Sequence, residues 1–247
     1  MATKIEWTEK TWNPTSGCSK VSEACQNCYA EVMAKRLSGM PASKEKYKNG
    51  FKVTLHPESL KEPYLWKNPT MVFVVSMGDL FHDDVPFQYI NMVMDVIQYN
   101  PQHTFQLLTK RAERMAEFFT TIREIPKNAW AGVTCESPLH YDRIEQLKRI
   151  NATVRFISCE PLLGDMPDID LTNIDWVITG GESGVNARRT PPDYFRNLRD
   201  RCIDTKTPFF FKQWGAWSED GIKQSKYKNG SLLDGREWKM MPGDNDF

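Results

Sequence analysis

The sequence has no excess of charge of either sign, because Lys and Arg total 32 and Asp and Glu also total 32. This balance gives no electrostatic argument for sequence-independent binding to nucleic acid, although a local basic patch would be compatible with it. The sequence also has no apolar run of membrane-spanning length, and residues 1–18 lack the apolar stretch that is typical of a signal peptide. We therefore expect a cytoplasmic protein that does not enter a membrane.

A fourth cysteine is missing from the cysteine-rich stretch near the N-terminus. Cys18, Cys25 and Cys28 are spaced C-x6-C-x2-C, and the next cysteine along the chain is Cys135. In a reducing cytosol such a group favours metal binding or catalysis over disulfides. Three thiolates can hold three corners of a [4Fe-4S] cluster and leave one iron open for a substrate or cofactor. The alternatives are a structural zinc site, which normally has four ligands, and a redox pair of Cys25 and Cys28.

Short apolar runs bounded by turn signals alternate along the chain with segments of helical periodicity. The runs occupy residues 51–56, 71–79, 103–110, 129–136, 154–160, 175–184 and 208–215. Strands that are apolar throughout and alternate with helices predict a parallel sheet covered on both faces. With a short strand before Cys18, the total of about eight suits a TIM-like (β/α) barrel, complete or partly open. A doubly wound open sheet is the competing α/β fold.

The helical segments and the tail complete this plan. Residues 86–100 have apolar side chains at helical spacing, and Ser137 followed by Pro138 is a typical helix start. We assign residues 1–216 to the barrel and its cysteine loop. Residues 217–247 are polar and contain Asn-Gly and Asp-Gly, which are hairpin signals. They are predicted to be a C-terminal extension whose hairpin caps the barrel.

Polar side chains follow the apolar part of most predicted strands. These are Ser76, Gly78 and Asp79; Thr109, Lys110 and Arg111; Thr134, Cys135 and Glu136; Ser158, Cys159 and Glu160; Gly180, Gly181, Glu182 and Ser183; and Lys212 and Gln213. The carboxyl ends of parallel strands share one edge of the sheet, so the set predicts an enzyme-like barrel mouth. For any one residue the alternative is an ordinary polar loop.

Several residues at this edge have types that suit ligand binding. Gly180 and Gly181 would let the backbone approach a ribose or carboxylate, or would simply form a tight turn. Lys110 and Arg111 could hold a carboxylate or phosphate, or could lie in solvent at the start of a helix. The arginines of residues 188–201 could face a phosphate backbone, but a solvated helix face is the favoured interpretation.

The cysteine loop, the (β/α) pattern and a polar, glycine-bearing loop after an early strand resemble the radical S-adenosylmethionine (radical SAM) superfamily. More closely, the chain is similar to a phage- and prophage-borne branch of that superfamily without an assigned activity. The matching stretches are "WNPTSGCSKVSEACQNCYA", "SMGDLFHDDVP", "LTKRAERM", "FISCEPLLG", "WVITGGESG" and "FFFKQWG".

The resemblance implies a reaction. Cys18, Cys25 and Cys28 would hold a [4Fe-4S] cluster whose open iron binds the amino and carboxylate groups of S-adenosylmethionine. The reduced cluster would cleave S-adenosylmethionine to methionine and a 5′-deoxyadenosyl radical, which abstracts hydrogen from a substrate. The electron would come from a reductant such as flavodoxin or ferredoxin. A partner protein that delivers the substrate is compatible with this reaction.

The chain departs from the commonest pattern of the superfamily at two points. The first cysteine gap is three residues longer than usual, and the Gly-Gly-Glu sequence follows a late strand instead of the second. Ser76, Gly78 and Asp79 are therefore the candidates for the contact to the amino group of S-adenosylmethionine. Tyr29, Gly180, Gly181 and Glu182 complete the predicted cofactor-binding set, and Lys110, Arg111 and Glu182 are the predicted catalytic residues.

The substrate expected from the resemblance is a nucleobase, nucleoside or nucleic acid. A related serine-and-aspartate arrangement occurs in spore photoproduct lyase, a DNA-repair member of the superfamily. The alternatives are a zinc-stabilised nucleic-acid-binding protein without catalysis and a thiol redox protein that uses Cys25 and Cys28.

Overall fold

The computed structural model describes residue 3 and residues 5–245. The first residues of the predicted barrel region, 1, 2 and 4, lie outside the described residues. The last residues of the predicted C-terminal extension, 246 and 247, also lie outside them. The chain divides into two compact units. Unit 1 comprises Met1–Ala131 with Arg149–Thr153, and unit 2 comprises Gly132–Lys148 with Val154–Phe247.

Most strands lie at the predicted positions. In chain order they are β1 (Lys10–Trp12), β2 (Thr15–Ser16), β3 (Thr54–Leu55), β4 (Met71–Val74), β5 (Thr104–Thr109), β6 (Ala129–Thr134), β7 (Arg155–Cys159), β8 (Trp176–Thr179), β9 (Phe209–Phe211), β10 (Leu232–Leu233) and β11 (Arg236–Glu237). Within the described residues, seven of them form one sheet in the order β1-β4-β5-β6-β7-β8-β9. The predicted α/β class and its partly open (β/α) barrel are confirmed.

The helices alternate with these strands. In chain order they are α1 (Tyr29–Leu37), α2 (Phe87–Gln98), α3 (Ala112–Glu117), α4 (Tyr141–Lys148), α5 (Pro192–Thr205) and α6 (Lys226–Asn229), with short 3-10 turns at Glu23–Asn27, Pro57–Lys61, Pro63–Leu65 and Pro138–His140 and a π turn at Phe118–Ile122. The apolar face predicted for α2 is buried. None of the described helices is long and apolar enough to cross a membrane.

In unit 1, β4 pairs in parallel with both β1 and β5. The predicted strand at 51–56 is shorter than expected and belongs elsewhere, because only β3 forms and it pairs antiparallel with β2. An apolar run indicates a strand but not its partner, and here the partner is the segment that leads into the cysteine loop. The estimate of about eight barrel strands is therefore one too high.

In unit 2, β8 pairs in parallel with β7 and β9. The tail packs on these strands, since Trp176 Nε1 donates to the carbonyl of Met240 at 2.8 Å and Phe211 N donates to the carbonyl of Trp238 at 2.8 Å. The hairpin of β10 and β11 turns at Asp234 and Gly235, whose φ values are +53° and +76°. The predicted hairpin turn therefore forms at the Asp-Gly pair. The glycine of the Asn-Gly pair, Gly230, instead follows the last residue of α6.

Candidate metal centre

The cysteine loop (residues 17–28) begins where two backbones touch. Gly17 N donates to the carbonyl of Met77 at 2.8 Å, and Gly17 forms a parallel bridge with Gly78. A Cβ added to Gly78 would lie 2.6 Å from the carbonyl oxygen of Gly17, and one added to Gly17 would lie 2.2 Å from that of Lys52. Because side chains cannot fit, the two glycines allow the loop to lie directly against residues 76–79.

Cys18 lies beside a buried ion pair at this point. Arg111 Nη1 is 3.4 Å from both Cys18 Sγ and Asp79 Oδ2. Asp79 is 5% exposed, and its oxygens also accept hydrogen bonds from Thr109 Oγ1 at 2.7 Å, Phe81 N at 3.0 Å and Lys110 N at 3.3 Å. The arrangement gives the sulfur a fixed cationic neighbour.

Burial, followed by the charge of Asp79, raises the pKa of the Cys18 thiol to about 11, against the opposing effect of Arg111. The free thiol is therefore protonated at neutral pH. Iron would have to displace this proton, as is general for thiolate ligands.

The residue after Cys18 is held by two side chains. Arg111 Nη2 donates to Ser19 Oγ at 2.8 Å, and His82 Nε2 lies 2.8 Å from the same oxygen. Asp84 N donates to His82 Nδ1 at 3.1 Å, so the neutral ring carries its proton on Nε2 and donates it to Ser19. Burial, and then the cation of Arg111, lower the pKa of His82, which keeps the ring neutral at pH 7.

The other two thiols are partly exposed and lie further along the loop. Cys25 is within the 3-10 turn Glu23–Asn27, and its Sγ is 3.6 Å from Ser22 Oγ. Cys28 is the residue that precedes α1.

Residues 76–79 are tied to both sides of the loop. Asn13 Oδ1 accepts from Ser76 Oγ at 3.3 Å and from Met77 N at 3.0 Å, and Tyr29 donates its hydroxyl proton to the carbonyl of Ser76 at 2.6 Å. The preceding residue, Val75, has a φ of +61°. This conformation is strained for a β-branched side chain and turns the chain sharply after β4.

Unit 1 thus brings together the predicted residues Cys18, Tyr29, Ser76, Gly78, Asp79, Lys110 and Arg111. The sequence analysis missed Gly17, whose position before Cys18 was the available signal. It also missed Asn13, Ser19 and His82, whose contacts join residues more than 60 positions apart and leave no local pattern.

The predicted residues after β8 lie in unit 2. A Cβ added to Gly181 would lie 1.9 Å from the carbonyl oxygen of Trp214, so this glycine is required for a close backbone approach. Glu182 is buried, and its Oε2 accepts hydrogen bonds from Arg188 N at 2.7 Å and Arg188 Nε at 2.9 Å. Gly180 lies beside Glu160, which pairs with Lys212 at 3.0 Å.

The cysteines of unit 2 are buried. Burial raises the pKa of Cys135 to about 12 and that of Cys159 well above its ordinary value. Both are therefore neutral thiols in this structure. Cys202 lies within α5.

Three arginines of residues 188–201, Arg188, Arg196 and Arg199, are paired with acidic groups. Arg196 contacts Asp193 at 2.9 Å, Asp234 at 2.8 Å, and Glu219, and Arg199 contacts Asp200 at 2.8 Å and also Asp234. These cations are partly neutralised within unit 2.

The donor set of the cysteine loop suits a cluster. Among the described residues no group of three or more His, Cys, Asp or Glu converges on the position of a single metal ion. A [4Fe-4S] cluster does not require that convergence, because each thiolate binds a different iron. Sulfur is also the ligand type that such clusters take.

The sequence matches a protein family over residues 2–242, described as "Protein of unknown function (DUF5131)". The chain belongs to this family. No curated protein sequence matches it.

Three solved structures of spore photoproduct lyase are similar to this DUF5131 chain. A single mutant of that enzyme is 12% identical with a TM-score of 0.51, over 90% of this chain and 69% of the lyase. A double mutant with bound AdoMet and dinucleoside spore photoproduct is 10% identical, with a TM-score of 0.47 over 81% and 62%. A complex with dinucleoside spore photoproduct is 8% identical, with a TM-score of 0.42 over 76% and 58%. This chain therefore spans less than two thirds of the latter two chains. The likeness to the single mutant shows the fold alone.

Proposed function

We propose that this chain is a radical SAM enzyme that binds a [4Fe-4S] cluster through Cys18, Cys25 and Cys28. The observation that carries the proposal is the seat of the cysteine loop on residues 76–79, through the contact of Gly17 with Gly78. When bound and reduced, the cluster would supply the electron that cleaves S-adenosylmethionine to methionine and a 5′-deoxyadenosyl radical. The fold that the chain shares with spore photoproduct lyase supports this assignment.

The residues around the loop have distinct tasks in the proposal. Cys28 directly precedes α1, and Arg111 holds Cys18 and Ser19. Ser76 and Gly78 are the proposed contacts of S-adenosylmethionine in unit 1, since they lie beside the loop. The sequence-based roles of Gly180, Gly181 and Glu182 in cofactor binding, and of Lys110 and Glu182 in catalysis, stay predictions.

The proposed substrate is a nucleobase, nucleoside or nucleic acid that is modified or repaired. Spore photoproduct lyase is named for a photoproduct, and two of its structures contain a dinucleoside photoproduct. We propose a cytoplasmic enzyme that takes its electron from a flavodoxin or ferredoxin. Membership of the phage- and prophage-borne branch, and a partner protein, stay predictions from the sequence.

Anaerobic reconstitution tests the proposal directly. The protein is supplied with iron and sulfide, reduced with dithionite in the presence of S-adenosylmethionine, and assayed for 5′-deoxyadenosine. We expect a brown protein with about four irons and four sulfides per chain that forms 5′-deoxyadenosine. Cys18→Ala, Cys25→Ala and Cys28→Ala should each lose the cluster and the product.

Cys202→Ala is the matched control, because it removes a buried thiol from α5 in the other unit. This variant should keep the iron and the product. A colourless protein that holds one zinc and survives air would contradict the proposal and favour the zinc alternative. Loss of iron in Cys202→Ala with full retention in Cys18→Ala would overturn the ligand assignment.

A further inference from the structure

Arg111 is the buried cation that touches the cysteine loop. It follows Thr109 and Lys110 at the end of β5 and directly precedes α3, and its N–H donates to Thr109 Oγ1 at 2.9 Å. Its side chain is about nine-tenths buried, with a relative exposure of 9% for the residue. Both its backbone and its side chain are therefore fixed by unit 1.

The guanidinium contacts four residues of the protein. Nη1 is directed at Cys18 Sγ and Asp79 Oδ2, each at 3.4 Å, and Nη2 at the hydroxyl and carbonyl oxygens of Ser19 at 2.8 Å and 3.4 Å. Nε lies 3.9 Å from Asp83 Oδ2. The planar guanidinium places a separate donor nitrogen on each of two consecutive loop residues, whereas a lysine ammonium has a single donor nitrogen.

We infer that Arg111 is a positioning residue that holds Cys18 for the cluster and raises the reduction potential of that cluster by donating a hydrogen bond to the Cys18 sulfur. Only the effect on the reduction potential rests on the proposed function. Hydrogen bonds to the sulfurs and the net charge near a cluster set its potential. A one-electron reduction makes the cluster more negative, so a nearby cation stabilises the reduced form. The carboxylate of Asp79 opposes this effect and limits its size.

The first test uses the protein without iron and asks only about position. Hydrogen exchange at the Cys18 amide, which donates to the carbonyl of Phe51 at 3.2 Å, reports whether the loop is seated. In Arg111→Gln and Arg111→Lys we expect this amide to exchange about tenfold faster or more, because charge-assisted hydrogen bonds to the loop are lost. Arg123→Gln is the matched control, since Arg123 makes its hydrogen bonds to Asn91, Asp95 and Gln98 instead.

The second test measures the midpoint potential of the reconstituted protein by redox titration followed by electron paramagnetic resonance. Arg111→Gln should shift the equilibrium about tenfold towards the oxidised cluster, or about 59 mV more negative for one electron. Arg111→Lys keeps the charge and should lie between Arg111→Gln and the wild type, and Arg123→Gln should match the wild type.

The outcomes separate the two halves of the inference from each other and from the proposed function. Unchanged exchange at Cys18 in both Arg111 variants would overturn the positioning role. An unchanged potential in Arg111→Gln would overturn the electrostatic role. If the protein binds no cluster, the proposed function fails, while the exchange measurement still decides the positioning role.

Discussion

Asp79 is a buried carboxylate that connects the ends of β4 and β5. It accepts hydrogen bonds from the side chains of Thr109 and Arg111 and from two backbone N–H groups. Its place after an early strand predicts a contact with the amino group of S-adenosylmethionine. In the structure its oxygens hold neighbouring protein groups, so its first effect is on stability and on the orientation of Arg111.

Replacement of Asp79 tests that interpretation. Asp79→Ala should lower the free energy of unfolding by about 3 kcal/mol, because it leaves the cation of Arg111 without its buried partner. Urea unfolding followed by tryptophan fluorescence measures the change. Asp84→Ala is the control, since that side chain is 76% exposed and its removal should change stability by less than about 0.5 kcal/mol. Equal, small effects of both substitutions would contradict a structural role for Asp79.

Some contacts between single residues could not be predicted from the sequence. The spacing of Cys18, Cys25 and Cys28 alone predicts a metal or redox site. The hydrogen bond of Ser19 with His82, however, joins positions 63 apart, and no periodicity or spacing announces it. Contacts of this kind are set by how the strands pair and turn, which a sequence pattern fixes only in part.

At the scale of elements, the decisive feature is the approach of β2 and its following glycine to the segment after β4. Gly78→Ala would place a methyl group 2.6 Å from the carbonyl oxygen of Gly17, so the two backbones must separate. We expect this variant to retain at least several-fold less iron after reconstitution than the wild type, because Cys18 follows Gly17 directly. Iron analysis and the visible spectrum measure the loss.

Gly39→Ala is the matched control for that substitution within the same unit. A Cβ added to Gly39 would meet its nearest atom, the carbonyl oxygen of Arg36, at 3.5 Å, which is an ordinary contact. This variant should therefore keep its iron. A Gly78→Ala protein with full iron content would mean that the cysteine loop does not depend on this backbone contact.

The elements themselves were largely predictable. The long apolar runs became β5, β6, β7 and β8, and the periodic segment after residue 86 became α2, because burial of a continuous apolar face leaves a clear pattern. The run at 51–56 gave only β3, which pairs with β2 outside the parallel sheet. The positive φ of Val75 was not predictable, since a valine gives no sign of a left-handed turn.

At the scale of the whole molecule, the charge distribution limits how many phosphate groups of a nucleic acid the protein could bind. The chain has zero formal net charge, and Arg196 and Arg199 are each paired with acidic residues. Phosphate contacts by these arginines would require their carboxylate partners to be displaced, which reduces the gain. The charge distribution therefore favours a substrate held by a small number of phosphate contacts over one held along an extended backbone.

The dependence of binding on salt tests this expectation. For a labelled single-stranded oligonucleotide, each neutralised phosphate contributes about −0.7 to the slope of log K against log salt. We expect a shallow slope of about −1.5, which corresponds to roughly two phosphates. Fluorescence anisotropy at several salt concentrations gives the slope.

Lys110→Gln should reduce the slope by about 0.7 if Lys110 holds a phosphate, as predicted from its place after β5. The double variant Arg196→Gln, Arg199→Gln should leave the slope unchanged, because those cations are engaged within unit 2. A slope steeper than about −4, or a loss of slope in the double variant, would instead indicate a protein that tracks the nucleic-acid backbone through α5.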